Sequence, residues 1–361
     1  MNEISVLVTG IGGPIAQGVL MGLIEMDNVR IIGADRRELT SGHHFCDHTY
    51  TIPRYTNLSE YKKAILHIVE KENIQAVFPG LPPEIDIYDT FRTEIPAPVA
   101  LPVSEYFKVL ENKVSTYHFL EDHNLSEYIP EYYSFKQNDE LKQIMEEKFS
   151  EETYVVVKPS ETYGAIGAAT LTDREHYLKA MSQNKKKVMN IEDYYDISSY
   201  EGQDRFVMPY IKGLEYSVDI FLHDDEVVVA VPRERTGVSN GIVLEGKVVH
   251  NPELIEAASK IAKRMSSAGF MNLQFFETAD GYKLTDINPR FAGSQVMSLG
   301  AGVNFPEIFL KYEVLNETPE VSPIWDTQMF RYRIPKFYHD SEEHPSETDL
   351  TNPENFNKVN K

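Results

Sequence analysis

Four side chains in the C-terminal third of the sequence have the types and spacing of a metal and phosphate site. Asp286, Asn288 and Arg290 alternate along one predicted strand, and Gln274 lies on the strand before it. Because side chains alternate across a strand, the first three share one face. Carboxylate and amide oxygens suit Mg²⁺, with Mn²⁺ as a second candidate, and Arg290 lies within reach of a transferring phosphoryl group. A solvated polar sheet face is the alternative interpretation.

The pairing of the two strands decides whether Gln274 joins this patch. A two-residue loop at 280–281 would pair Gln274 with Ile287, which mixes a polar with an apolar partner. A three-residue loop at 279–281 pairs Gln274 with Asp286 instead. Polar residues then face polar ones and apolar residues face apolar ones, as cross-strand energetics favour. The sequence therefore predicts the three-residue loop.

A second candidate site begins with Lys158, at the end of the strand YVVVKP and before the glycine-rich stretch TYGAIGAATL. A lysine ammonium is a compact charge for phosphate, and Gly164 and Gly167 let backbone N–H groups approach a ligand closely. The lysine precedes the glycines, so this is not the GxxxxGK[ST] loop. An exposed lysine beside an ordinary turn is the alternative.

Arg233 and Arg235 stand two apart on a predicted strand and therefore lie on the same face. Paired guanidinium groups suit a substrate carboxylate, which they bind through bidentate hydrogen bonds. A salt bridge is an equally good interpretation, because Glu234 and other acids lie nearby in the sequence.

The turn VTGIGGPIAQG after the first strand has part of a dinucleotide-binding pattern. Gly10 and Gly12 fit that pattern, and Asp35 ends the next strand, where a ribose-binding acid belongs. Ile15 occupies the position of the third glycine, which counts against NAD(P). We interpret Gly12 and Gly13 as a structural or substrate-facing turn.

The elements that position these residues follow a strand–helix–strand order at the start of the chain. Strands are predicted at 4–10, 29–35 and 74–80, and helices at 15–26 and 61–73. This order predicts a parallel, Rossmann-like sheet. A helix at 104–123, a small α/β unit and a region rich in strands follow.

The chain carries 56 acidic and 35 basic residues, a formal net charge of −21. Such a surface repels nucleic acids and anionic membranes, so the expected partners are small molecules. The single cysteine, Cys46, rules out an internal disulfide, and the sequence has neither a signal peptide nor an apolar run of the ~18 residues that span a bilayer. A cytoplasmic location is expected.

The segment FMNLQFFETADGYKLTDINPRFAGS resembles the metal-binding strand pair of ATP-grasp enzymes, which has the pattern [ED]-x-N-x-R. Asp286, Asn288 and Arg290 have this spacing, and Gln274 matches an acid or glutamine of the preceding strand. In family members that have an acid at this position, the metal site carries one more negative charge than it does in this chain.

Three further segments carry the resemblance. Lys113 in ENKVSTYHFL is similar to the family's first phosphate lysine, and Lys158 with its glycine loop to the second lysine and its lid. RFVMPYIKGLEYSVDIF resembles the strand that reads adenine through backbone atoms, with Glu215 at the ribose-binding position. Pro209 replaces a glutamate of many members and has no N–H, so Met208 and Ile211 are the candidates for adenine contact.

The resemblance covers about residues 4–335 and is closest to units of the carbamoyl-phosphate synthase large subunit. It implies an α/β (α+β) fold in which ATP lies between the lid and C-terminal sheets. The implied parts are a Rossmann-like pre-ATP-grasp domain at 1–102, linker helices with the lid domain at 103–204, a C-terminal ATP-grasp domain at 205–335, and a polar acidic tail at 336–361.

This architecture implies an ATP- and Mg²⁺-dependent carboxylate–amine ligase, active on small molecules, in a family where homodimers are common. The residues assigned to catalysis are Arg290, Lys158 and Arg235. Those assigned to ATP are Lys113, Lys158, Gly164, Gly167, Met208, Ile211 and Glu215, and those assigned to substrates are Arg233, Arg235, Gly12 and Gly13. Two alternatives remain open, namely bicarbonate activation, as in carbamoyl phosphate synthesis or a carboxylase, and a nucleotide-binding sensor or NAD(P)-linked protein.

Overall fold

A computed structural model of the chain describes most of its residues, namely 3–161, 167–185, 187–197, 201–239, 242–332, 335 and 337. Within these ranges the chain forms three sheets, of four, five and six strands. None of the helices described has the length and apolar character that crossing a membrane requires.

The N-terminal unit is a parallel sheet, as its strand–helix order predicts, with strand order β3-β2-β1-β4. The strands are β1 (Ile4–Thr9), β2 (Val29–Asp35), β3 (His48–Thr51) and β4 (Ala76–Phe78), and the helices are α1 (Pro14–Leu23), α2 (Leu58–Lys71) and α3 (Pro82–Phe91). Both α1 and α3 begin with proline, whose fixed φ suits the first turn of a helix. These two helices follow the carboxyl ends of β1 and β4, so their N-termini lie at the edge of the sheet where ligands bind in such folds.

The second unit is a five-stranded lid sheet with strand order β5-β9-β6-β7-β8. Its strands are β5 (Tyr133–Phe135), β6 (Val155–Pro159), β7 (Ala169–Thr172), β8 (Val188–Asn190) and β9 (Arg205–Pro209), and the helices of this region are α4 (Phe107–Glu111), α5 (Lys113–Asp122), α6 (Asn138–Lys148), α7 (Arg174–Ser182) and α8 (Ile191–Tyr195). The segment 205–209, predicted to begin the C-terminal domain, lies in the lid sheet, because β9 pairs with β5 and β6.

The third unit is a six-stranded antiparallel sheet with strand order β14-β13-β10-β11-β12-β15. Its strands are β10 (Glu215–His223), β11 (Glu226–Ser239), β12 (Ile242–Val248), β13 (Gly269–Thr278), β14 (Gly281–Asn288) and β15 (Gln328–Phe330), and its helices are α9 (Pro252–Met265), α10 (Val296–Gly300) and α11 (Phe305–Leu310). The apolar side of α9 packs on one face of this sheet together with Leu273 and Phe275. The side chains between them, including Gln274, point to the opposite face.

The predicted helix at 104–123 is broken into α4 and α5 at Asn112. This residue has an extended backbone, and its side chain accepts a hydrogen bond from the amide of Ser115 at 2.9 Å, so it caps α5. The break makes Lys113 the first residue of α5. Its amide donates to the carbonyl of Ser160 at 3.0 Å, which joins the start of α5 to the end of β6.

The hairpin of β13 and β14 has the predicted register at the candidate site but a different loop. Gln274 pairs with Asp286, whereas Thr278 pairs with Gly281, so the loop has two residues rather than three. One additional residue in β14, Thr285, forms a bulge that restores the predicted pairing. Gly281 is left-handed, with a φ of 95°, as the loop argument requires.

Candidate active site

A cleft of about 720 Å³ lies between the lid sheet and the C-terminal sheet, within the range of small-molecule sites. The lid contributes Val156, Lys158 and Met208, and the C-terminal sheet contributes Gln274 and Asp286. The N-terminal unit closes one end with four apolar residues, Pro14, Ile15, Pro82 and Pro83. All three units therefore border one cavity.

The oxygen-bearing side chains of β13 and β14 meet at this cleft. Gln274 lies opposite Asp286, Asn272 lies opposite Asn288, and all four line the cavity. Among the described residues no cluster of three or more His, Cys, Asp or Glu side chains forms a metal site. Gln274, Asp286 and Asn288 offer one carboxylate and two amide oxygens, a set that suits Mg²⁺ when phosphate and water oxygens complete its octahedron.

Cationic side chains are bound directly to this oxygen patch. The Nζ of Lys113 lies 3.2 Å from Oδ1 of Asp286, and Arg290 donates to Oδ1 of Asn288 at 2.7 Å. The Asn288 amide in turn lies 3.4 Å from Oδ2 of Asp286. The patch and two cations that suit phosphate thus form one network.

Lys158 lies in the same cleft, at the end of β6. Removal from water lowers its pKa, and the neighbouring charge of Lys113 adds to this effect while that of Asp286 opposes it. A phosphate group would favour the charged form of both lysines. Gly167 is left-handed, with a φ of 74°, and an added Cβ would lie 2.8 Å from Pro159, next to the lysine. Gly164, also predicted to contact phosphate, falls outside the described residues.

The predicted adenine end of the cleft is lined by Met208 and Ile211, together with Val156 and Phe276. Pro209 pairs with Val155 in the lid sheet and, as a proline, donates no hydrogen bond. The amide of Tyr210 donates to Tyr154 at 3.1 Å and is therefore used within the lid. Hydrophobic walls on both sides suit a flat aromatic base, and the individual contacts remain predictions.

Arg235 lines the cleft and donates a hydrogen bond to Glu215, the residue predicted to bind ribose. Burial lowers the pKa of this guanidinium, which the charge of Glu215 opposes. Arg235 and Glu215 are neighbours on β11 and β10, so the two predicted functions fall at one place in the cleft.

Arg233 has a different environment from Arg235, and its prediction as a substrate ligand requires correction. It is fully buried and forms a 2.6 Å ion pair with the equally buried Asp219. Asp219 also accepts from Asn272 and Ser298 at 2.8 Å, and Arg233 donates to the carbonyl of Ser294 at 2.8 Å. The salt-bridge alternative therefore describes Arg233, whose role is to hold the sheet face that borders the cleft.

The glycine turn after β1 is also closed by packing. An added Cβ at Gly12 would lie 2.2 Å from the guanidinium of Arg37, and one at Gly13 would lie 3.1 Å from Leu81. The cleft is lined by their neighbours Pro14 and Ile15 and by neither glycine, so a substrate contact of Gly12 and Gly13 stays a prediction.

Asp35, the acid that an NAD(P) site would direct to ribose, is engaged within the N-terminal unit. It accepts hydrogen bonds from Arg37 at 2.9 and 3.0 Å and from the amide of Gly12 at 3.1 Å. Burial acts to raise its pKa, but these bonds outweigh burial, and the pKa lies below its ordinary value. An anion held so firmly by a neighbouring arginine argues against dinucleotide binding here.

The charge of the cleft is opposite to that of the whole chain. Five cationic side chains and two carboxylates line it, although the chain has a net charge of −21. One of the cations, Lys187, was not singled out from the sequence, although the run of three lysines at 185–187 was a signal for it. A positive cleft in an acidic protein concentrates anionic ligands at the site.

Comparison with known proteins defines the class of this fold. Residues 201–333 match the family model described as ATP-grasp in the biosynthetic pathway with Ter operon. Residues 6–97 match the model of the PylC-like N-terminal domain. The chain thus combines a PylC-like N-terminal domain with an ATP-grasp domain, which confirms the resemblance found in the sequence. No curated protein has a significantly similar sequence.

Solved structures agree with this assignment at low sequence identity. An ADP complex of N5-carboxyaminoimidazole ribonucleotide synthetase has a TM-score of 0.67 at 16% identity, covering 91% of this chain and 80% of that one. Biotin carboxylase from Campylobacter jejuni gives 0.64 at 14%, covering 90% and 74%. L-amino acid ligase from Bacillus licheniformis gives 0.61 at 11%, covering 87% and 74%. They share the predicted fold, in which a parallel N-terminal sheet precedes the two ATP-grasp sheets.

Proposed function

We propose that this protein is an ATP-dependent carboxylate–amine ligase that forms an acyl phosphate and then an amide, releasing ADP and phosphate. The observation that carries the proposal is the meeting of Gln274, Asp286 and Asn288 with Lys113 and Arg290 in one cleft. Oxygen ligands for Mg²⁺ beside cations for phosphate are the elements that phosphoryl transfer requires.

The residues present fit a nucleotide with its metal. Lys113, Lys158 and Arg290 would neutralise phosphate oxygens, and the Met208 and Ile211 end of the cleft would hold adenine, with Glu215 at ribose. Mg²⁺, or Mn²⁺ in its place, would be held by Gln274, Asp286 and Asn288 and would supply charge neutralisation to the phosphates. Arg235, one of the two cleft cations not assigned to phosphate, would bind the substrate carboxylate.

The chemistry divides into two transfers. A carboxylate oxygen of the acid attacks the γ-phosphorus of ATP, the P–O bond to ADP breaks, and an acyl phosphate forms. The amine nitrogen then attacks the acyl carbon, and phosphate leaves with the electron pair of the C–O bond. Catalysis of the phosphoryl transfer consists of positioning and charge stabilisation, and neither transfer uses a covalent enzyme intermediate.

Trapping the acyl phosphate tests this function. A panel of acids is incubated with ATP, Mg²⁺ and hydroxylamine, and hydroxamate, ADP and phosphate are measured together. We expect stoichiometric hydroxamate, ADP and phosphate with one acid or a narrow group of acids. Formation of AMP and pyrophosphate would indicate adenylation and contradict the proposal.

Bicarbonate is a second candidate for the carboxylate. Biotin carboxylases are among the similar structures, one of them a 2-oxoglutarate carboxylase domain described with bicarbonate. In the same assay, this alternative predicts ADP release that depends on bicarbonate and gives no hydroxamate with the other acids.

We further propose that the enzyme is a cytoplasmic homodimer acting on small molecules. A similar structure, the biotin carboxylase domain of 2-oxoglutarate carboxylase, is described as a dimer. Light scattering coupled to size-exclusion chromatography tests the dimer, which predicts twice the chain mass of 41.3 kDa. A species of single-chain mass at assay concentration would contradict it.

A further inference from the structure

A small side cavity of about 20 Å³ adjoins the cleft at Asp286 and Asn288, two of the proposed metal ligands. It shares Lys113, Asp286, Asn288 and Arg290 with the cleft, and Ile85 of α3 closes it from the N-terminal unit. One water molecule requires about 10–15 Å³ of cavity volume measured in this way, so this cavity accommodates one group the size of water or an amino group.

Glu111, the last residue of α4, forms part of the wall of this side cavity. Its side chain is 12% exposed, and its Oε2 lies 3.3 Å from the Nζ of Lys108 on the surface side. Its Oε1 is buried and has no hydrogen-bond partner within the described part of the chain. A buried carboxylate oxygen without a donor is costly, so a group that enters the adjacent cavity, either water or the nitrogen of a ligand, would stabilise it by donating a hydrogen bond.

The other carboxylates at the cleft are already engaged. Asp286 is paired with Lys113, and Glu215 is bound by Arg235. Glu111 is therefore the carboxylate with an oxygen available to a cationic or N–H-donating group, and it lies in a cavity that also contains Arg290. A nitrogen held there would be close to the residue assigned to the transferred phosphoryl group.

We propose that Glu111 binds the amino group of the acceptor and removes a proton from it, which makes it a further catalytic residue. The inference rests on the proposed ligase function and narrows the acceptor to ammonia or a primary amine, because the cavity admits a single water-sized group. A larger body on the amine would extend into the main cleft.

The bound ammonium gives one N–H proton to Glu111, which frees the nitrogen lone pair. This pair forms the C–N bond to the acyl carbon while the C–O bond to phosphate breaks. The departing phosphate keeps the electron pair and takes a second proton from nitrogen, and Glu111 returns its proton to water after product release.

Comparing two nucleophiles tests this role. Ammonium and methylammonium are protonated at neutral pH, because alkylamines have a pKa near ~10.4, and so need a base. Hydroxylamine is neutral there and does not. With the acid found in the hydroxamate screen, Glu111→Gln should lower kcat/KM for ammonium or methylamine at least ~100-fold and change that for hydroxylamine by less than ~3-fold. The deficit with methylamine should shrink as the pH rises.

Control variants separate this role from a structural one. Lys108→Met removes the surface partner of Glu111, and Glu105→Gln changes an exposed glutamate just before α4, so both should behave as wild type. Equal losses with both nucleophiles, or no loss with ammonium and methylamine, would overturn the assignment of Glu111. If wild type formed no hydroxamate with any acid, the proposed function would fail instead.

A binding measurement tests the site without the acid. In the presence of MgADP, ammonium chloride should raise the Tm of wild type by roughly 1–2 °C over sodium chloride at equal ionic strength. Glu111→Gln should lose this rise, while Glu105→Gln should keep it. A rise that persists in Glu111→Gln, or none in wild type, would contradict an amino-group site at Glu111.

Discussion

At the scale of single residues, neighbouring side chains of the candidate site have different roles. Some line the cleft, whereas others form buried ion pairs that stabilise the sheet. Arg233 and Arg235 have the same type and share a strand face, yet the first is buried against Asp219 and the second lines the cleft. Sequence spacing could place both on one face but could not predict which carboxylate each would meet. That outcome depends on β10, which lies beside β11.

Lys158 gives the most direct test of the phosphate assignment. Replacement by alanine should weaken ATP binding roughly ten- to a hundredfold, because one charge-assisted contact contributes about 1.5–3 kcal/mol. Isothermal titration calorimetry with a nonhydrolysable ATP analogue measures this loss. Lys142→Ala, on the exposed side of α6, is the matched control. Wild-type affinity in Lys158→Ala would remove Lys158 from the site.

Glu84 predicts how stability depends on pH. It is buried in the N-terminal unit, where it accepts a 2.6 Å hydrogen bond from Thr9, and burial raises its pKa to about 7. The pKa of Glu84 is higher in the folded than in the unfolded protein. The protonated side chain therefore contributes its full stabilisation of the fold below about pH 4.5, and this contribution is lost as the pH rises towards 7.

The Glu84→Gln variant keeps the neutral form at every pH. Relative to wild type, it should become more stable between about pH 4.5 and 7, by no more than about 3 kcal/mol. Urea denaturation at several pH values measures the difference. A constant difference across this range would show that Glu84 ionises equally in the folded and unfolded chain.

At the scale of elements, local pattern predicted the strands well and their irregularities poorly. Polar and apolar alternation was sufficient to pair Gln274 with Asp286, because a slip by one residue would have buried the polar face. The two-residue loop shifts the strand register by one residue, and the bulge at Thr285 shifts it back. The polar and apolar pattern near the site therefore could not indicate either irregularity. The break at Asn112 and the exposure of Glu111 to a cavity arise from contacts across units and were missed.

The ion pair between Lys113 of α5 and Asp286 of β14 predicts that metal binding depends on nucleotide. Lys113 neutralises Asp286, the single carboxylate among the three proposed metal ligands, so a divalent cation alone meets a neutral patch. Mn²⁺ titration followed by electron paramagnetic resonance should show weak binding without ADP and at least ~10-fold tighter binding with it.

Two variants test this dependence on nucleotide. Asp286→Asn should abolish the tight Mn²⁺ site with little change in stability, because a polar cleft tolerates the isostere. Lys113→Met should strengthen Mn²⁺ binding in the absence of nucleotide, since it frees the Asp286 carboxylate. Tight binding by wild type without ADP would contradict the role assigned to the ion pair.

At the scale of the whole molecule, the N-terminal and C-terminal units share one hydrophobic core. The lid has a core of its own and also contributes Phe206 and Met208 to a second core of the C-terminal sheet. Phe78 of β4 lies between Phe291 and Phe309, at ring distances of 5.8 and 5.4 Å. Phe291 directly follows Arg290, so this packing connects the N-terminal sheet to the strand end that carries the candidate site. The parallel N-terminal sheet was predictable from its strand–helix order, but this shared core was not, because it joins residues far apart in the chain.

The shared core predicts that a destabilising substitution in the N-terminal unit will also lower the stability of the C-terminal unit. Phe78 is fully buried, and Phe78→Ala should cost about 3–5 kcal/mol through lost burial and the cavity that remains. The single tryptophan, Trp325, packs against this core and reports on the C-terminal unit. Its fluorescence-monitored unfolding midpoint in urea should therefore fall in Phe78→Ala. Phe135→Ala, in the core of the lid, should leave that midpoint nearly unchanged. An unaltered tryptophan transition in Phe78→Ala would mean that the two units unfold independently, and the N-terminal wall of the candidate site would then be free to move apart from the C-terminal sheet.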